Sequence, residues 1–290
     1  MFKFYNTLTF EDSIDHKQAD FDPARMETYR CWYSEDINNN DTLLITVGDS
    51  WTWGDHLGNI DWNQASDDPC RLKQIYGRKL ADKLNADWVN LARPGCSNYW
   101  MLEKLQDMQM FIKTSAYKKI YLVITLTEDL REAEYTRRIQ VLPTYQKFWE
   151  ESASIKEFLQ RVENYLFDNL QQYFDSVNVI PFVSRAFTDS WQHRHWLLDK
   201  TWCDVIQDKF NFNNYQKPVP FIAQMSINPL TEKFISKNPE RKLEFLDIME
   251  LVGTRWQFLG ASDYNLKGST CHPNPAGHDL WAEYLYTKLV

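Results

Sequence analysis

The run Asp41–Ser50, DTLLITVGDS, decides how the rest of the chain is read. Its apolar, partly β-branched part, Asp41–Val47, has the pattern of a strand buried on both faces, and Gly48 ends it. Downstream, Asp68-Pro69 opens a helix with proline at its first position, and Leu72, Ile75, Tyr76, Leu80 and Leu84 follow at helical spacing. Asp87–Ala92 (DWVNLA) reads as a second strand, stopped by Pro94-Gly95. Ser97 is then expected to cap a helix with Met101, Leu105, Met108 and Ile112 on one face. Lys119–Leu126 (KIYLVITL) is a third strand. Ile155, Phe158, Leu159, Val162, Leu166, Leu170 and Phe174 mark a long amphipathic helix. Asn178–Val183 is a fourth strand, whose Pro181 points to a sheet edge or a bulge.

Strands alternating with helices imply right-handed crossovers and a parallel sheet between helical layers. Such sheets hold their sites at the carboxyl ends of the strands. Residues 1–40 precede the first strand and have no clear period, so they read as an N-terminal extension to a domain spanning 41–290. From about 185 to 240 the chain is again irregular and rich in aromatic residues, including Trp191, Trp196 and Trp202. This stretch is expected to be an insertion packed over one end of the sheet, either as a lid or as a purely stabilising excursion.

Composition narrows the function. The 290 residues are 43% hydrophobic and 25% charged, as in ordinary globular proteins. A net charge of −8 disfavours a nonspecific nucleic-acid binder, which needs a basic footprint. The first residues show no signal core, and no stretch approaches the ~18 apolar residues of a membrane span. Five cysteines without a CxxC pair suggest reduced thiols in a cytoplasmic setting. Asp55-His56 has no third ligand at helpful spacing, and His193 and His195, on one face of an extended segment, read as a solvated loop, so no metal or other cofactor is expected. Oligomeric state has no signature in the sequence.

Gly48-Asp49-Ser50 lies at the end of the first strand, where a serine can project its hydroxyl into the crevice. An alcohol is a weak nucleophile at neutral pH and needs a base. Among six histidines, His272 is the candidate, because Asn274 and Pro275 start a helix that would anchor it. No GxSxG occurs, which disfavours an α/β-hydrolase elbow. Trp51 and Trp53 flank the serine and either line an acyl or sugar pocket or pack under the sheet edge. Asn98 either adds a side-chain donor near Gly95 or caps the following helix.

GDSWTWGD (Gly48–Asp55) resembles the GDSL block of the SGNH hydrolase superfamily, and the likeness runs from about Asp41 to the end. The resemblance implies a flavodoxin-like three-layer α/β/α fold and ester hydrolysis. It implies Ser50 as nucleophile, His272 as base, and the N–H groups of Ser50 and Gly95 as oxyanion donors. Two positions depart from the family pattern. Glu128 stands where an asparagine would donate to the oxyanion, and an ionised carboxylate only accepts. Ser269 stands three before His272, where an aspartate would be; it can hydrogen-bond an imidazole but carries no charge. Asp263, Asp189 and Glu128 are the candidates for the acid. A protonated, buried Glu128 would be able to donate instead.

The expected activity is a serine ester hydrolase acting on a small-molecule or glycan ester, with short acyl groups such as acetyl on a carbohydrate favoured by the aromatic insertion and by Trp51 and Trp53. A catalytically weak glycan-binding or structural module and an acyltransferase are the alternatives. The GDSWTWGD run is also similar to SGNH-like proteins of tailed phages and marine bacteria, so phage association is a further expectation.

Overall fold

A computed structural model describes residues 33–34, 39–55, 57, 68–94, 96, 98–127, 147–148, 150–174, 179–185, 198–209 and 272–290. The run Thr42–Gly48 forms strand β2. It is flanked by β3 (Asp87–Asn90) and β4 (Lys119–Leu126), both parallel to it. β5 (Val179–Arg185) adds in parallel to β4, and β1 (Tyr33–Ser34) adds antiparallel to β3. The order is β1-β3-β2-β4-β5. Counting the parallel strands alone, it is 2-1-3-4, the flavodoxin-like arrangement. Pro181 pairs opposite Leu122 in β5, the last strand of the order among the described residues, where a missing N–H donor is tolerated.

Alternation along β2 builds two cores. Leu43, Ile45 and Val47 face one side, with Met101, Leu105 and Met108 of α4 (Asn98–Thr114) and Leu166, Phe167 and Leu170 of α5 (Ile155–Phe174). Leu44 faces the other side. There it joins Tyr76 and Leu80 of α3 (Tyr76–Leu84), Trp202 of α6 (Trp202–Gln207) and Trp281 and Leu285 of α7 (Pro275–Leu289). Leu43, Leu44 and Ile45 are all 0% exposed, as expected of a central parallel strand covered by helices on both sides. The result is a three-layer α/β/α domain.

The helix expected from Asp68 is broken into two. Asp68 caps α2 (Pro69–Leu72), accepting from the Cys70 N–H at 2.9 Å. Ile75 is then extended, and the Tyr76 N–H donates to Nδ1 of His278 at 3.1 Å instead of to a helical carbonyl. The helix therefore restarts as α3, with its first donor satisfied from α7. At the chain's last helix, Asn274 accepts from the Gly277 N–H at 3.0 Å and Pro275 follows at the first position, as the sequence led us to expect.

Candidate active site

β2 lies where the strand order reverses, and the chain leaving its carboxyl end makes a tight strand-to-helix turn. Gly48 is required there: a Cβ would fall 2.0 Å from Thr52 Oγ1 and 3.2 Å from the Thr125 carbonyl. Asp49 caps the single turn α1 (Ser50–Trp53), accepting from the Trp51 N–H at 3.0 Å. Gly54 ends the turn at φ 79°. Its left-handed conformation folds the chain back, so that the Asp55 N–H donates to the Ser50 carbonyl at 2.9 Å.

The underside of α1 is tied to its neighbours. Tyr76 Oη contacts Thr52 Oγ1 at 3.4 Å and Thr125 Oγ1 at 3.3 Å. Burial pushes the Tyr76 phenol up to about 12, although both hydroxyl contacts act in the opposite direction. It therefore stays neutral and keeps its proton for this network. The guanidinium of Arg71, 0% exposed, lies 3.8 Å over the Trp53 ring and donates to the Trp53 carbonyl. Ser50 is thus carried on a turn held at both ends.

His272 arrives from the opposite end of the chain, three residues before α7. Its Nε2 lies 2.9 Å from Ser50 Oγ. With Nε2 unprotonated, the hydroxyl donates to it, which is the arrangement a general base needs. The carboxylate of Asp55 lies on the same side, with Oδ2 3.7 Å from Nε2. The His272 and Asp55 side chains are only 14% and 13% exposed.

A second histidine, His278, does a different job. It is buried against Tyr76, Trp202 and the α3 backbone. Burial holds its imidazole well below the usual histidine range, and Lys79, His272 and Arg71 push the same way. It accepts at Nδ1 from Tyr76, so its proton is on Nε2, and it serves as neutral packing between α3 and α7.

The two residues placed by the motifs, Ser50 and His272, are brought together. Trp51 and Trp53 are buried, at 4% and 3% exposed. Trp51 meets Trp202 edge-on at 5.4 Å, and Trp53 carries Arg71. Of the two readings the sequence leaves open, these contacts are those of packing rings. The Asn98 amide clips the start of α4 to the end of β4: Nδ2 donates to the Thr127 carbonyl at 3.1 Å, and Oδ1 accepts from the Thr127 N–H at 2.8 Å. One of its two N–H groups is thereby committed to the backbone. Gly95, Glu128, Asp189, Asp263 and Ser269 lie outside the described residues.

The sequence offers Asp55 only as a possible metal ligand; the structure instead puts its carboxyl group beside His272. Gly54 before it permits the chain to fold back on the serine, but a glycine alone does not say which way the turn runs. Among the described residues, no three His, Cys, Asp or Glu side chains gather to hold a metal ion. Among them too, no helix is long and apolar enough to cross a membrane.

No family model matches the chain, and no curated protein does. Similar solved structures include a lipase/acylhydrolase from Enterococcus faecalis, 14% identical, with a TM-score of 0.35 over 86% of this chain and 95% of that one. A phospholipase A1 from Streptomyces albidoflavus is 15% identical, with a TM-score of 0.37 over 85% of this chain and 98% of that one. A member of the lipolytic G-D-S-L family from Veillonella parvula is 13% identical, with a TM-score of 0.31 over 86% and 97%. At such TM-scores nothing about this chain's activity follows from them.

Proposed function

We propose that the chain is a serine ester hydrolase working through an acyl-enzyme. The reading is carried by one observation, the 2.9 Å approach of His272 Nε2 to Ser50 Oγ from 222 residues away. Ser50 Oγ attacks the ester carbonyl while its proton passes to His272 Nε2. The tetrahedral oxyanion is met by the backbone N–H groups of Ser50 and Gly95. His272 then protonates the departing alcohol, and water, deprotonated by the same imidazole, releases the acid. The substrate favoured is a short acyl ester, such as acetyl, on a carbohydrate or another small alcohol. Trp51 and Trp53 beside the serine are buried in packing contacts, and the aromatic-rich stretch from about 185 to 240 is the remaining support for that preference.

The test is reaction with a serine-directed fluorophosphonate, with the modified peptide mapped by mass spectrometry. Labelling is expected at Ser50, to be lost in Ser50→Ala, and to slow by up to ~10⁴ in His272→Ala. Hydrolysis of p-nitrophenyl acetate in preference to the palmitate ester supports the short-acyl part. Absence of labelling in a folded protein sinks the hydrolase reading and leaves the glycan-binding module, which predicts sugar binding that survives Ser50→Ala.

A further inference from the structure

We propose that Asp55 is the positioning residue that supplies the negative charge beside His272. This inference rests on the ester-hydrolase reading. A histidine that takes a proton from serine becomes an imidazolium, and a nearby carboxylate favours that charged form. The position three before His272 is Ser269, which carries no charge. Asp55 comes instead from the opposite end of the site, five residues after the nucleophile. Three observations converge on it. Gly54 at φ 79° turns the chain back, the Asp55 N–H is pinned to the Ser50 carbonyl at 2.9 Å, and Oδ2 stands 3.7 Å from Nε2. Both partners are largely shielded from water, which strengthens the attraction.

The geometry also says how Asp55 acts. It faces Nε2, the nitrogen that exchanges the proton, so its effect is on charge and not on tautomer. When Ser50 Oγ bonds to the carbonyl carbon, its proton moves to Nε2 and the imidazolium forms beside the Asp55 carboxyl group, 3.7 Å away. When the alkoxide leaves, that proton passes from Nε2 to the alkoxide oxygen and the imidazole is neutral again. The tether of Asp55 to the Ser50 carbonyl runs through the backbone and is kept in any variant at this position.

The experiment compares wild type, Asp55→Asn and Asp55→Glu in the full chain. It measures fluorophosphonate labelling rate at Ser50, kcat and KM on p-nitrophenyl acetate, and the thermal midpoint. Asp55→Asn is expected to lower labelling and kcat on the order of 10- to 100-fold with KM within about twofold and the midpoint retained. Asp55→Glu, which keeps the charge, is expected to regain at least part of that loss. Wild-type labelling in Asp55→Asn, an equal loss in Asp55→Glu, or a loss produced by Asp263→Asn and not by Asp55→Asn overturns the assignment. A wild-type chain that does not label at all overturns the hydrolase reading itself and takes this role with it.

Discussion

Gly54 shows how much of the candidate site depends on one backbone angle. Its φ of 79° is in the left-handed region, and an added Cβ would meet Ile75 Cγ2 at 2.0 Å. Alanine would cost about 1–2 kcal/mol for the conformation and about 1–3 kcal/mol for overpacking. Gly54→Ala is therefore expected to melt several degrees below wild type and to label more slowly at Ser50, because the turn carrying Ser50 and Asp55 must shift. An unchanged midpoint and labelling rate would mean that the turn relaxes without disturbing the pair. At this scale Ser50 and His272 were legible from residue type and from the helix start that follows His272. Asp55 was not, because its partner is 217 residues away and the direction of a turn is not written in composition.

Among the elements, the short helix α6 does more than its length suggests. Trp202 stacks on Trp281 at 5.5 Å and meets Trp51, Tyr76 and His278 edge-on at 5.4, 5.2 and 4.9 Å. Its Nε1–H donates to the Gly277 carbonyl at 3.1 Å. It thus joins α1, α3 and α7, the elements around the candidate pair. Surface links between α3 and α7, such as Lys83–Glu283 at 2.6 Å, are exposed to solvent and screened by it, so they contribute little. The aromatic contact dominates. Trp202→Ala is expected to cost about 3–5 kcal/mol in denaturant unfolding, whereas Lys83→Ala is expected to leave the unfolding midpoint nearly unchanged. Equal losses from the two variants would overturn this ranking. The sequence read Trp202 as part of an aromatic insertion, and its burial at 0% puts this piece in the core. Aromatic residues without a period carry no information about which neighbour they meet.

For the molecule as a whole, His278 sets a pH dependence of stability. Its folded imidazole resists protonation, whereas an unfolded histidine titrates near about 6.5. The unfolded state therefore binds the extra proton as pH falls. This contribution is complete above about pH 6.5 and is lost progressively below it, by up to about 1.4 kcal/mol per pH unit. His278→Gln, whose amide oxygen can still accept from the Tyr76 N–H, is expected to be less stable at pH 7 but to lose less between pH 6.5 and 5. Parallel stability curves for the two proteins over that range would show that His278 binds its proton in the folded state.

The linear pattern was sufficient for the layers. Runs of β-branched residues and helical spacing are local properties, so β2, β3, β4 and α5 were readable within a residue or two. Pro181 pointed to an edge or a bulge, and among the described residues its strand ends the sheet order. The antiparallel β1 was not readable: two residues are too few to carry a period, and their pairing with Val89 and Asn90 supplies the order. The break before Tyr76 was likewise invisible, since its N–H is satisfied by a histidine from the far end of the chain. The same holds for Asn98 and Asp55, whose partners are distant in sequence. Local chemistry chose the elements and named the serine and the histidine. Only the closed three-layer packing decided which distant groups share a buried space, because those interactions exist only once the intervening chain is folded.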